Sequence, residues 1–214
     1  SEFGLSIMNP FSSVYFDQSI GVKRRLSIKL EDIKRIQKDC YKANDEKRWL
    51  IALIADTGMR LAEGAGLLRT DFTRQDGVLC VTIRPHRWRS LKTKSSARVI
   101  PLIGSAKWAA EQILDQIFES TFAFPTYNYK KRTNANSASA SLNKWLKGRI
   151  GQTFSIHSFR HSMRDRLREV DCPSEVIDQI GGWARSGVGD SYGEGYSLSK
   201  MHNYLEKITF SLNG

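Results

Sequence analysis

The first third of the chain is predicted to be helical because its apolar residues recur every three or four positions. One helix is expected from Leu30 to about Ala43, and a second from about Asp45 to Asp56. The pair Thr57-Gly58 interrupts the pattern, since glycine is unfavourable inside a helix, and a short third helix follows. The apolar faces of these helices contain Leu30, Ile33, Ile36, Cys40, Leu50, Leu53, Ile54, Leu61, Ala65 and Leu68.

A change from helical spacing to alternation predicts a small β-sheet in the middle of the chain. Asp76-Gly77 is a turn signal, and residues 78–84 alternate as a half-buried strand does. A basic stretch over 84–94 leads to a second short strand at 98–102, which Pro101 ends because proline has no backbone N–H. The apolar side of the first strand is formed by Leu79, Val81 and Ile83.

Helical spacing returns in the second half of the chain. Residues 133–141 are rich in Asn, Ser and Ala, and we expect a mobile loop there that ends in an N-cap before Leu142. With no internal repeat and no second complete domain, the predicted fold class is α+β, mainly α with a small antiparallel β-sheet. The later helices are marked by Ala110, Ile113, Leu114 and Ile117, by Leu142, Trp145 and Leu146, by Phe159, Met163, Leu167 and Val170, by Val176, Ile177 and Ile180, and by Leu198, Met201, Leu205 and Ile208.

The length of 214 residues is sufficient for one sizeable domain with a buried core. We expect residues 27–214 to form that domain and residues 1–26 to be a tag remnant and linker, since Ser1-Glu2-Phe3-Gly4 resembles a vector-derived leader. No apolar run approaches the roughly 20 residues of a membrane span, and no signal peptide is visible. The sequence therefore gives no indication of a membrane as partner.

Charge and cysteine usage narrow the class of partner. The net charge is +11 and the isoelectric point is about 9.7. A large positive charge is typical of proteins that bind a polyanion, because phosphates neutralised on binding release condensed counterions. The three cysteines, Cys40, Cys80 and Cys172, lack metal-ligand spacing. They are interpreted as small buried hydrophobic residues in a reducing cytoplasm, so neither a disulfide framework nor a zinc site is expected.

Three local patterns carry the candidate chemistry. The first is Thr57-Gly58-Met59-Arg60-Leu61-Ala62-Glu63, with an arginine at a helix junction. The second is His157-Ser158-Phe159-Arg160-His161, in which one helical turn projects the first His and the Arg in the same direction. The third is Gly181-Gly182-Trp183, followed nine positions later by Tyr192. Each pattern alone is typical of a surface ion pair or a loop aromatic, but their combination in this order is far more specific.

The combined arrangement resembles the catalytic signature of the tyrosine recombinases of the phage integrase type. That signature places an Arg in a T-G-x-R-x-x-E context, a Lys in a β-hairpin, then H-x-x-R, then His or Trp, and last the nucleophilic Tyr. The resemblance runs from about Ser27 to Ile208 and includes the strand that ends Val99-Ile100-Pro101-Leu102. It implies a catalytic-domain fold of that family. It also implies catalytic roles for Arg60, Lys92, His157, Arg160, Trp183 and Tyr192, with Glu63 as a supporting residue.

Two assignments within this resemblance have alternatives. Lys92 and Lys94 both lie in the predicted hairpin, and Lys92 is favoured because the family usually has Lys-Thr at the turn, with Lys94 kept as a supporting residue. Tyr196 lies thirteen positions after Trp183, which is too long for the pattern, so Tyr192 is preferred as nucleophile. Trp183 stands where many members have His, and its indole only donates, so proton transfer there is not expected.

These residue types suit transesterification at a phosphodiester. Tyrosine has an ordinary pKa of about 10 and needs surrounding cations to attack well. Arg60 and Arg160 can each present two donors to non-bridging phosphate oxygens. His157 is expected to bond the phosphate or accept the tyrosine proton, and Lys92 to protonate the departing 5′ oxygen. The bond energy is stored in the phosphotyrosine, so we expect no ATP, no metal and no other cofactor.

Further residues are assigned supporting or DNA-contacting roles. His161 is expected to pack or cap locally. The glycine-rich segment 181–195 is expected to be mobile until DNA arrives. The last predicted helix has an apolar face that suits docking either on its own core or on a neighbouring subunit, and both alternatives remain open. Contacts to DNA phosphates are predicted for Arg84, Arg87 and Arg89, which lie beside His86, and for Lys130, Lys131 and Arg132.

The resemblance also implies partners. It implies double-stranded DNA as substrate, a homotetramer on two DNA sites in the full-length protein, accessory DNA-bending proteins, and an N-terminal core-binding domain that this sequence lacks. A nucleoid-associated protein of a phage, genomic island or similar mobile element is expected. Two alternatives are a type IB topoisomerase, less favoured because those enzymes usually carry Lys at the position of His157, and a DNA-binding module that has lost catalysis.

Overall fold

A computed structural model describes residues 26–117, 120–129, 132–184 and 195–210 of the chain. Helices dominate these ranges, and two small antiparallel sheets lie between them. The predicted fold class, mainly α with a small antiparallel sheet, is confirmed. The helices are α1 (Leu30–Ala43), α2 (Glu46–Thr57), α3 (Leu61–Ala65), α4 (Gly104–Asp115), α5 (Ala135–Ile150), α6 (Ser158–Glu169), α7 (Ser174–Gly181) and α8 (Leu198–Ile208).

The main sheet has three strands in the order β1 (Phe72–Gln75), β2 (Val78–Ile83) and β3 (Arg98–Pro101). Both pairings are antiparallel, and Val81 of β2 faces Phe72 on one side and Ile100 on the other. The strand predicted over 78–84 is therefore confirmed over Val78–Ile83, but it is not half-buried as expected, because Cys80 is buried as well as its neighbours Leu79 and Val81. A second sheet consists only of β4 (Asn128–Tyr129) and β5 (Arg132–Thr133).

Helix α5 shows that the loop predicted over residues 133–141 is wrong. The helix begins at Ala135, and the side chain of Asn134 caps it by accepting the N–H of Ser137 at 2.9 Å. Ala138 is the single buried residue in the first two turns. The sequence of these turns therefore has no repeating apolar positions from which a helix could be predicted. The N-cap exists, but it lies eight positions before Leu142.

Two other predicted helices are shorter than expected. Helix α3 ends at Ala65, and Leu68 instead precedes a 3₁₀ turn over Arg69–Asp71. Helix α4 ends at Asp115, and the side chain of Ile117 beyond it is fully exposed. In both places an apolar residue near helical spacing lies past the last helical turn.

Helix α2 forms the centre of the core. Its residues from Trp49 to Thr57 are all buried, and it packs against α1, α4 and α6. At its end Asp56 accepts hydrogen bonds from Gln37, Ser105 and Arg166, three side chains of other helices. This buried polar network fixes the last turn of α2, from which the loop to α3 departs.

The C-terminal helix packs on its own domain. Met201, Leu205 and Ile208 of α8 are buried, and the helix contacts β3 and α6. Of the two docking alternatives for this apolar face, the structure shows the one within the chain. The three cysteines are buried free thiols, as expected. None of the described helices is long and apolar enough to cross a membrane.

Candidate active site

Arg60 lies at the junction between α2 and α3. Helix α2 ends at Thr57, and the next residue, Gly58, has a φ of 60°, a left-handed conformation that glycine adopts without strain. Arg60 then precedes the first turn of α3, and its backbone N–H donates to the Glu63 carboxylate at 2.9 Å. Its Nη1 donates to Glu63 at 2.7 Å and to the Ser96 hydroxyl at 3.0 Å. The guanidinium therefore stands between α3 and the hairpin that carries the candidate lysines.

Glu63 is a buried carboxylate shared by two arginines. Besides Arg60 it accepts Nη2 of Arg98 at 3.0 Å, and both carboxylate and Arg98 side chain are 4% exposed. Burial by itself raises the pKa of Glu63, but Arg98 and the N–H donors of Arg60 outweigh burial, so the pKa lies below its usual value. Glu63 is a predicted supporting residue, and its hydrogen bonds orient the Arg60 side chain.

Arg160 projects from α6 into the same region. Its Nη1 donates to the carbonyl of Gly58 at 2.8 Å and to that of Gly181 at 2.5 Å. Its Nη2 is buried and has no hydrogen-bond partner among the residues that the structure describes. Burial, followed by the positive charges of Arg60 and Arg98, lowers the pKa of Arg160 to about 9. Such a site favours an anion, which would supply both the acceptor and the negative charge.

Trp183 contacts the guanidinium of Arg160. Trp183 follows the left-handed Gly182 at the end of α7, and its backbone N–H donates to Asp178 at 3.0 Å. The guanidinium carbon of Arg160 lies 4.0 Å from the ring centroid, and that of Arg164 lies 4.8 Å from it. The ring therefore supports Arg160 through a cation–π contact.

The two arginines of the signature converge on one corner of the chain. Arg160 bonds the carbonyl of Gly181, and Nη2 of Arg60 approaches the carbonyl of the next residue, Gly182, at 3.4 Å. The two motifs are separated by about 100 residues in sequence but meet at this corner. The structure thus brings together Arg60, Glu63, Arg160 and Trp183.

The two histidines lie at the start of α6. His157 is the residue that precedes the helix, and its ring centroid lies 5.3 Å from that of His161 in an edge-on arrangement. Both rings are partly buried. His157 is one helical turn from Arg160, as the H-x-x-R spacing requires, and the contact with His161 agrees with the local packing role predicted for that residue.

Both candidate lysines are exposed in the turn between β2 and β3. Lys94 begins a 3₁₀ turn over Lys94–Ser96, and Ser96 is buried where it accepts from Arg60. Lys94 lines a cavity of about 480 Å³ together with Arg98 and Trp183. Lys92 is not among the residues that line it. The turn as a whole therefore lies beside the arginine cluster, and the choice between the two lysines remains a prediction.

Several predicted site residues lie outside the described ranges. Tyr192 is one of them, as are Lys130, Lys131 and most of the glycine-rich segment 181–195. Tyr196, the alternative nucleophile, is described: its backbone N–H and carbonyl both bond the side-chain amide of Gln179, at 2.8 and 3.0 Å. These two bonds attach the backbone of Tyr196 to α7, so they give Tyr196 a structural role.

The predicted DNA-contacting arginines differ in exposure. Arg87 and Arg132 are exposed. Arg84 is half exposed, although its Nε donates to the fully buried Asp71 at 2.8 Å. Arg89 is buried, and its guanidinium donates to the carbonyls of Glu63 and Arg84. The burial of Arg89 argues against the phosphate contact predicted for it, because those donors already hold the hairpin against α3.

Arg98 is the residue of this region that the sequence patterns did not reveal. Its only signal is a charged residue at the start of a strand, a position where exposed arginines are common. Its Nε donates to the carbonyl of Ile180 at 2.7 Å, and Nη1 donates to that of Ser96 at 2.6 Å. No cluster of three or more His, Cys, Asp or Glu side chains suited to a metal is found within the described ranges.

Comparison with known proteins identifies the family and the fold of the chain. Residues 27–194 match the Phage integrase family, whereas a comparison with curated proteins finds no match. Among solved structures, the chain is similar to XerA recombinase (TM-score 0.57, 15% identity, covering 86% of this chain and 60% of that one). It is also similar to the Tn1549 transposon integrase in complex with circular intermediate DNA, with a TM-score of 0.57 and 15% identity. That alignment covers 88% of this chain and 69% of the integrase chain.

A further similar structure is XerH site-specific recombinase bound to difH substrate in a pre-cleavage complex, with TM-score 0.56 and 18% identity. The alignment covers 87% of this chain and 52% of XerH, so the chain spans only part of the length of these recombinases. At such identities the structural likeness shows the fold. The family match covers most of the sequence, and this chain therefore belongs to the phage integrase family, the tyrosine recombinases.

Proposed function

We propose that this chain is the catalytic domain of a site-specific recombinase that cuts and rejoins double-stranded DNA through a 3′-phosphotyrosine at Tyr192. The observation that carries the proposal is the convergence of Arg60 and Arg160 beside Gly181-Gly182, where Nη2 of Arg160 is buried and has no acceptor among the described residues. A phosphodiester supplies the missing acceptor and a negative charge. The overall charge of +11 favours DNA as the molecule that carries it.

The reaction is a transesterification in which each broken bond is replaced. The phenol oxygen of Tyr192 forms a bond to phosphorus while the bond from phosphorus to the 5′ oxygen breaks. The phenol proton leaves to His157 or to water, and Lys92 delivers a proton to the departing 5′ oxygen. Attack by the 5′ hydroxyl of another strand reverses the sequence, so rejoining needs no external energy.

Both guanidinium groups act on the phosphate in this scheme. Arg60 and Arg160 bond the non-bridging oxygens and stabilise the charge that builds in the pentavalent transition state. Both are oriented in advance, Arg60 by Glu63 and Arg160 by main-chain carbonyls and the Trp183 ring. Loss of one such preorganised donor typically lowers the rate about 100- to 1000-fold, which is the effect expected for Arg160→Lys.

The test is capture of the covalent intermediate. The chain is incubated with a library of duplexes of random sequence, each with a nick placed so that cleavage releases a short fragment that diffuses away. Adducts that survive denaturation are isolated, and their DNA is sequenced. We expect adducts with the native chain and with Tyr196→Phe, and none with Tyr192→Phe.

The outcomes separate the alternatives. Adducts retained in Tyr192→Phe but lost in Tyr196→Phe would move the nucleophile to Tyr196. No adduct with any duplex, together with DNA binding, would support a non-catalytic module. Sequence-independent relaxation of supercoiled plasmid by the native chain, without strand exchange, would support a type IB topoisomerase. The DNA sequences recovered from the library also supply the substrate for every experiment below.

The proposal extends to the whole protein from which this domain derives. We infer a homotetramer on two DNA sites, an additional DNA-binding domain and accessory DNA-bending proteins, working in the cytoplasm in association with the nucleoid. The exposed basic residues Arg84, Arg87 and Arg132, together with Lys130 and Lys131, are proposed to contact phosphates outside the cleaved one. Their replacement by Ala is expected to weaken binding uniformly across DNA sequences and to reduce its salt dependence.

A further inference from the structure

Arg98 connects three segments that are distant in sequence. Its Nε donates to Ile180, at the end of α7, and its Nη1 to Ser96 in the hairpin. Its Nη2 donates to Glu63 of α3, which in turn holds Arg60. We refer to residues 91–96 as the lysine turn and to residues 180–183 as the tryptophan corner. Arg98 bonds the main chain of both segments, whereas Arg60 reaches them through the Ser96 hydroxyl and, at 3.4 Å, the carbonyl of Gly182.

The bonds of Arg98 are built into the interior of the domain. Its side chain is 4% exposed, as is that of Glu63. Burial lowers the pKa of Arg98, and the adjacent Glu63 offsets part of that effect. A buried guanidinium is tolerated here because its donors meet two carbonyls and one carboxylate, so its geometry is strongly determined.

The tryptophan corner fits closely against Arg98. Gly182 has a φ of 65°, and a Cβ added there would lie 2.6 Å from Nη1 of Arg98 and 3.0 Å from the carbonyl of Ser95. Such distances leave no space for a side chain between the corner and the lysine turn. Arg98 therefore joins the backbone of the tryptophan corner to the backbone of the lysine turn, and their close approach requires glycine at position 182.

We propose that Arg98 is a positioning residue for the protonation of the leaving group, because it fixes the lysine turn relative to the phosphate-binding corner. Lys92 and Lys94 are exposed, whereas Ser96 at the end of the turn is buried. The placement of either lysine ammonium thus depends on the main chain that Arg98 and Ser96 hold. This inference deepens the proposed function and rests on it.

The leaving-group test isolates this role. Substrates recovered from the nicked library are made in two forms, one with the natural 5′ oxygen at the cleaved bond and one with sulfur in its place. A thiol leaves without protonation, since its ordinary pKa is about 8.5, whereas an alkoxide needs a general acid. The single-turnover rate of adduct formation is measured for both substrates, with burst amplitudes correcting for the active fraction of each variant.

Arg98→Lys keeps the positive charge but cannot bond three segments at once. We expect it to slow cleavage of the oxygen substrate about 100-fold, within the usual range for lost general-acid catalysis, and to cleave the sulfur substrate at nearly the native rate. Lys92→Ala should show the same selective rescue if Lys92 is the acid. Arg60→Lys should lose both activities together, because its task is charge stabilisation.

Arg166→Lys is the matched control. Arg166 is also buried and also bonds two carbonyls and a carboxylate, those of Ala55, Ile208 and Asp56, but no atom of the lysine turn. We expect it to lower stability without changing the ratio of sulfur to oxygen rates. Arg98→Gln, with the same readout, covers the case in which Arg98→Lys does not fold.

The outcomes distinguish this inference from the function on which it rests. Equal losses on both substrates in the Arg98 variants, while the native chain cuts normally, overturn the positioning role and leave recombination standing. A rescue of equal size in Arg166→Lys overturns it too, since the effect would then follow from any lost buried arginine. A native chain that forms no adduct overturns both proposals.

Discussion

The Glu63→Gln substitution removes the negative charge that two arginines share inside the candidate active site. Glu63 accepts the backbone N–H of Arg60 at 2.9 Å, its Nη1 at 2.7 Å, and Nη2 of Arg98 at 3.0 Å. Glutamine has the same size and keeps one acceptor oxygen, but it turns an NH₂ donor toward one of the guanidinium groups. The expected loss of stability is therefore that of breaking a buried ion pair, with no contribution from a cavity.

The expected magnitude follows from the burial of the three groups. Removing one partner of a buried pair typically costs about 3–5 kcal/mol of unfolding free energy. The side chain of Arg60 is 22% exposed, so water replaces part of what it loses. We therefore expect a value near the lower end, about 3 kcal/mol, out of a typical total of about 5–15 kcal/mol. With a urea slope of about 3 kcal/mol per M, the unfolding midpoint falls by about 1 M.

The pH dependence gives a second, independent check. The pKa of Glu63 is lowered in the folded state. Its stabilising contribution is thus fully present above its unfolded pKa of about 4.3, and is lost as the pH falls through the lower folded value. The difference in unfolding free energy between native chain and Glu63→Gln should be constant from about pH 6 to 8 and shrink below about pH 4.

Urea unfolding followed by circular dichroism from pH 8 down to 3.5 measures this difference. Glu111→Gln is the control, because the Glu111 side chain on α4 is 43% exposed and only approaches Lys107 at 3.9 Å. That change should remain within about 0.5 kcal/mol. A loss below about 1 kcal/mol at pH 7 in Glu63→Gln, or a difference that stays constant to the lowest pH, would refute the reasoning.

Three further predictions concern the residues that support the candidate active site and the binding of an anion by Arg160. Gly58→Ala should lower stability by about 2 kcal/mol or more, measured by urea unfolding, because it strains φ and places a Cβ 2.4 Å from Met163. Asp71→Asn should lower the free energy of unfolding by about 1–3 kcal/mol in the same assay, since it removes the buried negative charge that accepts the hydrogen bond of Arg84. Sulfate should raise the melting temperature above a chloride control of equal ionic strength in the native chain, and less in Arg160→Met.

Much of the fold could be predicted from sequence because burial imposes periodicity. Helix α1 has Ile33, Ile36 and Cys40 buried at helical spacing, and β2 is buried between two partner strands. The first two turns of α5 could not be predicted, since its small polar residues face solvent and only Ala138 is buried. There the helix depends on its Asn134 cap and on its continuation into the packed turns at Leu142 and Leu146.

The site divides in the same way. The meeting of Arg60, Arg160 and Trp183 could be anticipated because their types and order form a recognisable signature, whereas the catalytic roles of these residues and of His157 stay predictions. The part played by Arg98 could not, because one charged residue before a strand looks the same whether it is exposed or buried. The burial of Arg89 could not be predicted for the same reason, since its basic neighbours suggest a surface whereas its guanidinium donates to two carbonyls.

The three arginines of the site are held mainly by main-chain carbonyls and by a single carboxylate among the described residues, that of Glu63. Arg60, Arg98 and Arg160 are close enough for Arg60 and Arg98 to lower the pKa of Arg160, yet Glu63 is the single carboxylate bonded to any of them within the described residues. The main-chain carbonyls of Gly58, Gly181 and Ile180 orient the guanidinium groups as dipoles without cancelling their charge. A second carboxylate would stabilise the empty domain but would compete with a phosphate. The arrangement therefore keeps a fixed, uncompensated positive charge, which is what the proposed phosphoryl transfer requires.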